Sequence, residues 1–321
     1  MPPHSELYDL VHSTQGIRLL NWDNSPEDDM TVSSSNPDDS PPPREAMPAT
    51  NDPEILRLYQ IIEFVRDTYL MHADYSTESE TSRTYTRPFS YLPPTPRPPE
   101  NEDGASSSDE NLESKRIWLW QQWTYRINAA IKKIVYFCKS LPGFFDQHKD
   151  DQMRLIKYGL FEVWLVGAAS QVTEFRLLFI DGAFISEQQM AIVFGAEFAT
   201  LFYHFANTLN TLSLNDTEIG LLAGIVLFSQ RRDLDGPEIV EASRELLLKA
   251  LRLLLSIRHP DEPEIETTLM QKISELEVLG VKYHSQLEWY RNNWHRITIP
   301  ALFSEVFDIP HVQLLEETPD H

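Results

Sequence analysis

Phe137-Cys138-Lys139-Ser140-Leu141-Pro142-Gly143-Phe144-Phe145-Asp146-Gln147-His148-Lys149-Asp150-Asp151-Gln152-Met153-Arg154-Leu155-Ile156 is the stretch that decides the architecture. Its first residues close a stripe of Trp120, Trp123, Ile127, Ile131, Ile134, Cys138 and Leu141. Apolar positions three or four apart put one helix face against a core. Pro142-Gly143 is a helix stop. Asp150-Asp151 then opens a helix whose Met153, Leu155, Ile156, Leu160 to Leu165 and Val166 are apolar nearly all round. A helix without a polar face belongs in the middle of a layered core.

Downstream, Leu177 to Ile180, Asp181-Gly182 and Ala183 to Ile185 read as a small hairpin, the only strand signal in the chain. Helices are expected at about 186–211, 215–230, 237–257, 263–296 and 301–308, with Asn215 and Glu218 forming a capping box. Upstream, Ile55, Leu58, Ile61, Ile62, Val65 and Tyr69 recur at helical spacing over 52–72, and Asp52-Pro53 reads as an N-cap followed by proline at N1. Around that helix the composition changes. Fifteen of the 22 prolines and no lysine fall in residues 1–113. Runs such as Ser33 to Pro43 and Asn101 to Glu110 bury too little apolar surface to offset ordering entropy. The expected division is a disordered acidic, proline-rich tail over 1–51, one domain over 52–310 with a disordered insertion at 73–113, and a short tail at 311–321. Pro93 to Pro99 reads as an extended spacer in preference to an SH3-type ligand. Ser25-Pro26, Ser40-Pro41 and Thr95-Pro96 are common dipeptides in such tails.

Composition excludes several functions. A net charge of −22 argues against a nucleic-acid surface. One cysteine, Cys138, leaves no disulfide framework and no multi-thiolate zinc module within this chain. No apolar run reaches membrane-span length, and Met1 to His4 lacks a signal-peptide start, so a nuclear or cytosolic setting fits. Phosphate-binding glycine loops, His-Glu-x-x-His and Gly-x-Ser-x-Gly are absent, and no histidine pair has ligand spacing. No metal, no cofactor and no enzymatic activity are expected. An all-α lipid-binding protein or enzyme is the rival class, but it needs convergent polar groups in a cavity. Two decoys are set aside. Asn215-Asp216-Thr217 reads as a helix cap, not a glycosylation site, and Leu251-Arg252-Leu253-Leu254-Leu255 reads as core packing inside a long helix.

The opening stretch resembles the signature of the nuclear receptor ligand-binding domain: an aromatic-small-basic triplet, then Phe144, Asp151-Gln152 and Leu155-Ile156 at fixed spacing. Cys138 stands where alanine is usual and Gln147 where an aliphatic is usual. Pro300 to Phe307 is similar to that family's terminal activation helix. Trp120-x-x-Trp123, Ile127-Asn128-Ala129-Ala130-Ile131 and Asn215 to Ile219 resemble the retinoid-related orphan receptors and their insect and nematode counterparts induced at moulting. The heme-binding orphan repressors are close, though they generally lack the terminal helix. The resemblance implies an all-α, three-layer antiparallel sandwich of about eleven helices with one small β-hairpin. It also implies a nuclear transcriptional regulator that takes up Leu-x-x-Leu-Leu co-regulator helices.

A short helix exposes free N–H groups at its start and free carbonyls at its end, so a groove holding it needs an anion and a cation. On the family's pattern these are Glu305 and Lys139, both expected at the surface, with Lys157 supporting the cation and Leu302 and Phe303 closing the apolar floor. Trp120, Trp123, Ile127, Leu165, Phe179 and His284 fall at ligand-pocket positions. Here the sterol-contacting arginines of relatives are replaced by Gly167 and Ser170. Trp123 adds a ring where volume would be open. The hydrogen bond that locks the terminal helix falls on His284 and Phe303, which lacks the hydroxyl. Sterol binding in the family manner is therefore disfavoured, and a smaller or filled pocket is expected. Glu162 and Arg232 occupy positions that pair in the family. The eight cysteines of a DNA-binding domain are missing, so the chain is read either as part of a longer receptor or as a DNA-binding-deficient competitor. A monomer is expected, with heterodimerisation left open.

Overall fold

The apolar run from Leu155 to Val166 lies where a helix without a polar face must lie. In the computed structural model, which describes residues 5–14, 47–73, 87–90 and 106–310, it is part of α4 (Lys149–Ala168). The other helices are α1 (Glu6–His12), α2 (Pro53–His72), α3 (Ser106–Ser140), α5 (Glu187–Phe194), α6 (Ala196–Asn210), α7 (Asp216–Leu227), α8 (Pro237–Arg258), α9 (Ile265–Asn292) and α10 (Ala301–Phe307). α4 packs on α7, itself buried on almost every face, and α7 packs on α8. α2 and α3 cover one side of this layer, and α6 and α9 cover the other. The all-α sandwich expected from the sequence is the observed architecture.

Local chemistry sets the element boundaries. Asp52 caps α2, its side chain accepting from the Glu54 amide, with Pro53 at the first helical position. At α7 the Asn215–Glu218 capping box is present in both directions, at 2.9 Å each. Glu218 is fully buried and is also held by His259 Nε2 at 2.9 Å and Arg258 at 3.3 Å. Asp151, from the signature stretch, is buried and accepts from the amides of Asp235 and Gly236, which pins the loop before α8 to α4. Gln147, where an aliphatic is usual, uses its amide nitrogen to donate to Ser243 Oγ at 3.0 Å and to the Gly143 carbonyl, while its Oε1 is buried without a partner.

Four expectations are corrected. The helix expected over 186–211 is two helices, since Gly195 takes φ +87, a backbone state only glycine adopts freely. The small hairpin is part of a four-stranded sheet of order β1-β4-β3-β2. β3 (Arg176–Leu178) and β4 (Ala183–Ser186) are the predicted arms, β2 (Val172–Thr173) extends them, and β1 (Arg87–Pro88) adds in parallel. Two-residue strands lack any readable alternation. The region read as a disordered insertion thus contains β1, and α3 starts at Ser106 within its acidic run. The tail read as disordered contains α1. Pro93 to Pro99, the three Ser/Thr-Pro dipeptides and the 311–321 tail lie outside the described residues. None of the described helices is long and apolar enough to cross a membrane.

Candidate functional site

α10 closes against α3 and α4 and leaves a groove between the three. Its position is fixed from several directions. The Phe303 amide donates to Asn128 Oδ1 at 3.1 Å, and Arg291 donates to the Phe307 carbonyl at 2.9 Å. Asp308 ends the helix in a left-handed conformation and pairs with Lys157. Leu302 and Phe303 are buried, and the Phe303 ring packs edge-on against Trp120, facing the interior and not only the groove.

The groove is occupied by α1. Glu305 accepts at one end from three donors of that helix: Ser5 Oγ at 2.8 Å, the Leu7 amide at 2.8 Å and the Glu6 amide at 3.3 Å. At the other end Lys139 Nζ donates to the Leu10 carbonyl at 2.5 Å. These are the free first-turn amides and last-turn carbonyls that no short helix can satisfy internally. Leu7 and Val11 are wholly buried, and Tyr8 faces solvent. Exposed Lys132 adds a pair to Glu6 at 2.8 Å, and His12 Nε2 lies 3.2 Å from the Lys149 carbonyl. The sequence of α1, Leu7-Tyr8-Asp9-Leu10-Val11, is a Leu-x-x-Leu-aliphatic helix.

The structure brings Glu305 and Lys139 together at the two ends of one helix. The expectation that both sit at the surface is corrected for Lys139, which is fully buried beneath α1, and burial lowers its ammonium below the ordinary lysine range. Lys157 contacts Asp308 and anchors the end of α10. The sequence reading missed α1 itself. Its signal was present in Ser5 as N-cap and the Leu7, Leu10, Val11 spacing, but a tail rich in proline and acid outweighed seven residues.

The pocket positions form an aromatic plug. Trp120 stacks on Tyr290 with centroids 3.6 Å apart. Trp123 is fully buried, meets Phe194 and Trp164 edge-on at 5.2 and 5.3 Å, and donates from Nε1 to the Tyr283 hydroxyl at 3.3 Å. Ile127, Leu165 and Phe179 are buried with them. Beyond this plug, a cavity of about 310 Å³ is lined by Tyr69, Asn210 and the Gly167 and Ser170 that stand where relatives carry arginines, and another of about 370 Å³ is lined by Arg57, Pro142 and Ala242. His284 lies against Phe307 and Tyr158, not Phe303, and its Nε2 is buried without a partner. Burial and then the Arg291 charge lower the imidazole to about 4. The lock on α10 comes from Arg291, Lys157 and Asn128 instead.

Glu162 pairs with Arg231, not Arg232. Arg231 Nη1 and Nη2 lie 3.0 and 2.5 Å from the two carboxylate oxygens. The chain turns after Leu227 so that Arg231 folds back on its own helix, donating to the Val226 carbonyl, while Arg232 is exposed. Gly280 on α9 makes the room, since a Cβ there would stand 2.0 Å from Glu162 Oε1. Burial raises the Glu162 carboxyl above its ordinary range, against the pull of Arg231.

A layered helical sandwich whose last helix helps form a groove with an acid at one end and a base at the other defines a class. Residues 109–291 match the ligand-binding domain of nuclear hormone receptor, and the chain belongs to that family. Among its relatives, ecdysone-induced protein 78C of Drosophila melanogaster is 39% identical over 259 residues, covering 79% of this chain and 29% of that protein. Nuclear receptor subfamily 1 group D member 2 of Rattus norvegicus is 33% identical over 172 residues, 53% of this chain and 30% of its own. Nuclear hormone receptor E75 of Metapenaeus ensis is 30% identical over 181 residues, 55% and 30%. The chain spans less than a third of the length of these relatives.

Proposed function

We propose that this domain serves a nuclear transcription regulator by taking up short amphipathic co-regulator helices in the groove between Glu305 and Lys139. The observation that carries this reading is the seating of a Leu-x-x-Leu-aliphatic helix there, its free amides on the carboxylate and a free carbonyl on the ammonium. Such a groove recognises a helix through its two backbone ends and its apolar face together. The interior is filled by Trp123 and its neighbours, so the closed position of α10 needs no sterol to support it. A smaller apolar ligand, and partnering with another receptor, remain outside this reading.

Because α1 is seated in the groove, the test uses the full chain carrying Leu7→Ala and Val11→Ala. A fluorescein-labelled Leu-x-x-Leu-Leu peptide is titrated into it by anisotropy, and Glu305→Lys or Lys139→Glu is added. Binding that is saturable and lost in either charge reversal is expected. Binding indifferent to both reversals rejects the groove as the docking site.

A further inference from the structure

The chain carries its own occupant for the groove. We infer that residues 5–12 are a built-in competitor, so that an external co-regulator helix binds this domain only by displacing α1. The inference rests on the groove reading above and deepens it by naming what regulates access.

Three observations point the same way. First, α1 uses the two charged ends of the groove: Glu305 takes the Leu7 and Glu6 amides, and Lys139 takes the Leu10 carbonyl. An external helix needs the same two groups, so both cannot be bound together. Second, the fit extends beyond a generic helix. Ser5 both caps α1, through the Tyr8 amide at 3.1 Å, and donates to Glu305. The two contacts join capping to docking, so the helix is stabilised where it is bound. Third, the apolar face is selective: Leu7 and Val11 are wholly covered, whereas Tyr8 between them is exposed.

Residues 15–46 tether α1 to the domain, which turns docking into an intramolecular step. The effective concentration of a tethered segment is on the order of millimolar. A helix that alone binds about tenfold more tightly than that figure raises an external partner's apparent Kd by about tenfold. Co-regulators of weak affinity are then excluded, and stronger ones are admitted at a cost. Whatever releases residues 5–12 opens the groove.

The labelled Leu-x-x-Leu-Leu peptide is titrated into the unmodified full chain and into the chain carrying Leu7→Ala and Val11→Ala. The double variant is expected to bind at least about tenfold more tightly. Tyr8→Ala, on the exposed side of the same helix, is expected to behave like the unmodified chain. Equal affinity of the double variant and the unmodified chain overturns the inference while leaving the groove intact. No binding to the double variant overturns the groove reading and the inference with it. Tightening by Tyr8→Ala equal to that of the double variant also overturns the inference, because the effect then does not come from the docked face. As a check free of any variant, hydrogen exchange of the Leu7 to Val11 amides is followed in the unmodified chain. Protection that is lost when unlabelled peptide saturates the groove is expected, and unprotected amides contradict it. Both readouts are repeated at rising protein concentration; a dependence on concentration would mean the helix comes from a second copy and overturns the tethered form.

Discussion

The interior behind α3 and the groove beside α10 are both filled by the chain's own residues, but in physically different ways. The interior is closed by Trp120, Trp123, Phe194 and Tyr283, rings carried on α3, α5 and α9 that cannot leave without unfolding the layers. The groove is closed by α1, a seven-residue helix whose hold consists of Leu7, Val11 and contacts at its two ends. An isolated helix of that length is unstable in water, so α1 exists only while docked. One filling is part of the core; the other is a ligand that happens to be attached.

The sharpest probe of the first filling is Trp123→Ala, which should cost about 3–5 kcal/mol in urea unfolding. A loss below about 1 kcal/mol would mean the interior holds slack and that the contrast with the groove fails. Arg231→Met should be nearly as severe, about 3–5 kcal/mol, because it strands the Glu162 carboxylate in the core. Arg232→Met, at the exposed neighbour, should stay within about 0.5 kcal/mol, and the reverse order would restore the pairing expected from the sequence. Third comes the decoy segment of α8. Leu254 is fully buried, and Leu254→Ala should cost about 2–5 kcal/mol by the same measurement.

The pH dependence is smaller. His284 is neutral in the folded domain, with its imidazole lowered to about 4, and it gains a proton near 6.5 once unfolded. The unfolded chain binds more protons between those values, so stability falls as pH drops from about 6.5 toward 4, by at most about 3 kcal/mol from this group. His284→Phe should flatten that part of the stability profile relative to the unmodified chain; an unchanged slope would remove the histidine from the account. Smallest is Leu7→Ala, expected to shift global unfolding by less than about 1 kcal/mol, since α1 detaches locally before the layers melt. A larger loss would make α1 part of the core and erase the contrast.

Two segments of this chain spell nearly the same pattern, Leu7-Tyr8-Asp9-Leu10-Val11 and Leu251-Arg252-Leu253-Leu254-Leu255. The second was legible as core because it lies in a long helix apolar on several faces, and the structure buries it in α8. The first was lost in its surroundings, since a local pattern of seven residues carries less weight than the composition of the fifty around it.

What the sequence determined by itself was everything that depends on periodicity, capping and spacing along one helix. The central burial of α4, the stop at Pro142-Gly143, the caps at Asp52 and Asn215, and the closing helix after Pro300 all follow from neighbours within a few positions. Glu305 and Lys139 were legible as a pair only through a spacing already associated with a groove. The tertiary structure alone decided which arginine meets Glu162, because a one-residue difference after Leu227 depends on how the loop turns and on the space Gly280 leaves on another helix. It also decided that Lys139 is covered, that His284 has no partner at Nε2, and that α1 is folded at all. Each of these depends on groups far apart in the chain, 69 residues for Arg231 and Glu162 and 129 for Lys139 and Leu10, arriving at one place, and a helix too short to hold itself acquires its structure only from the surface that receives it.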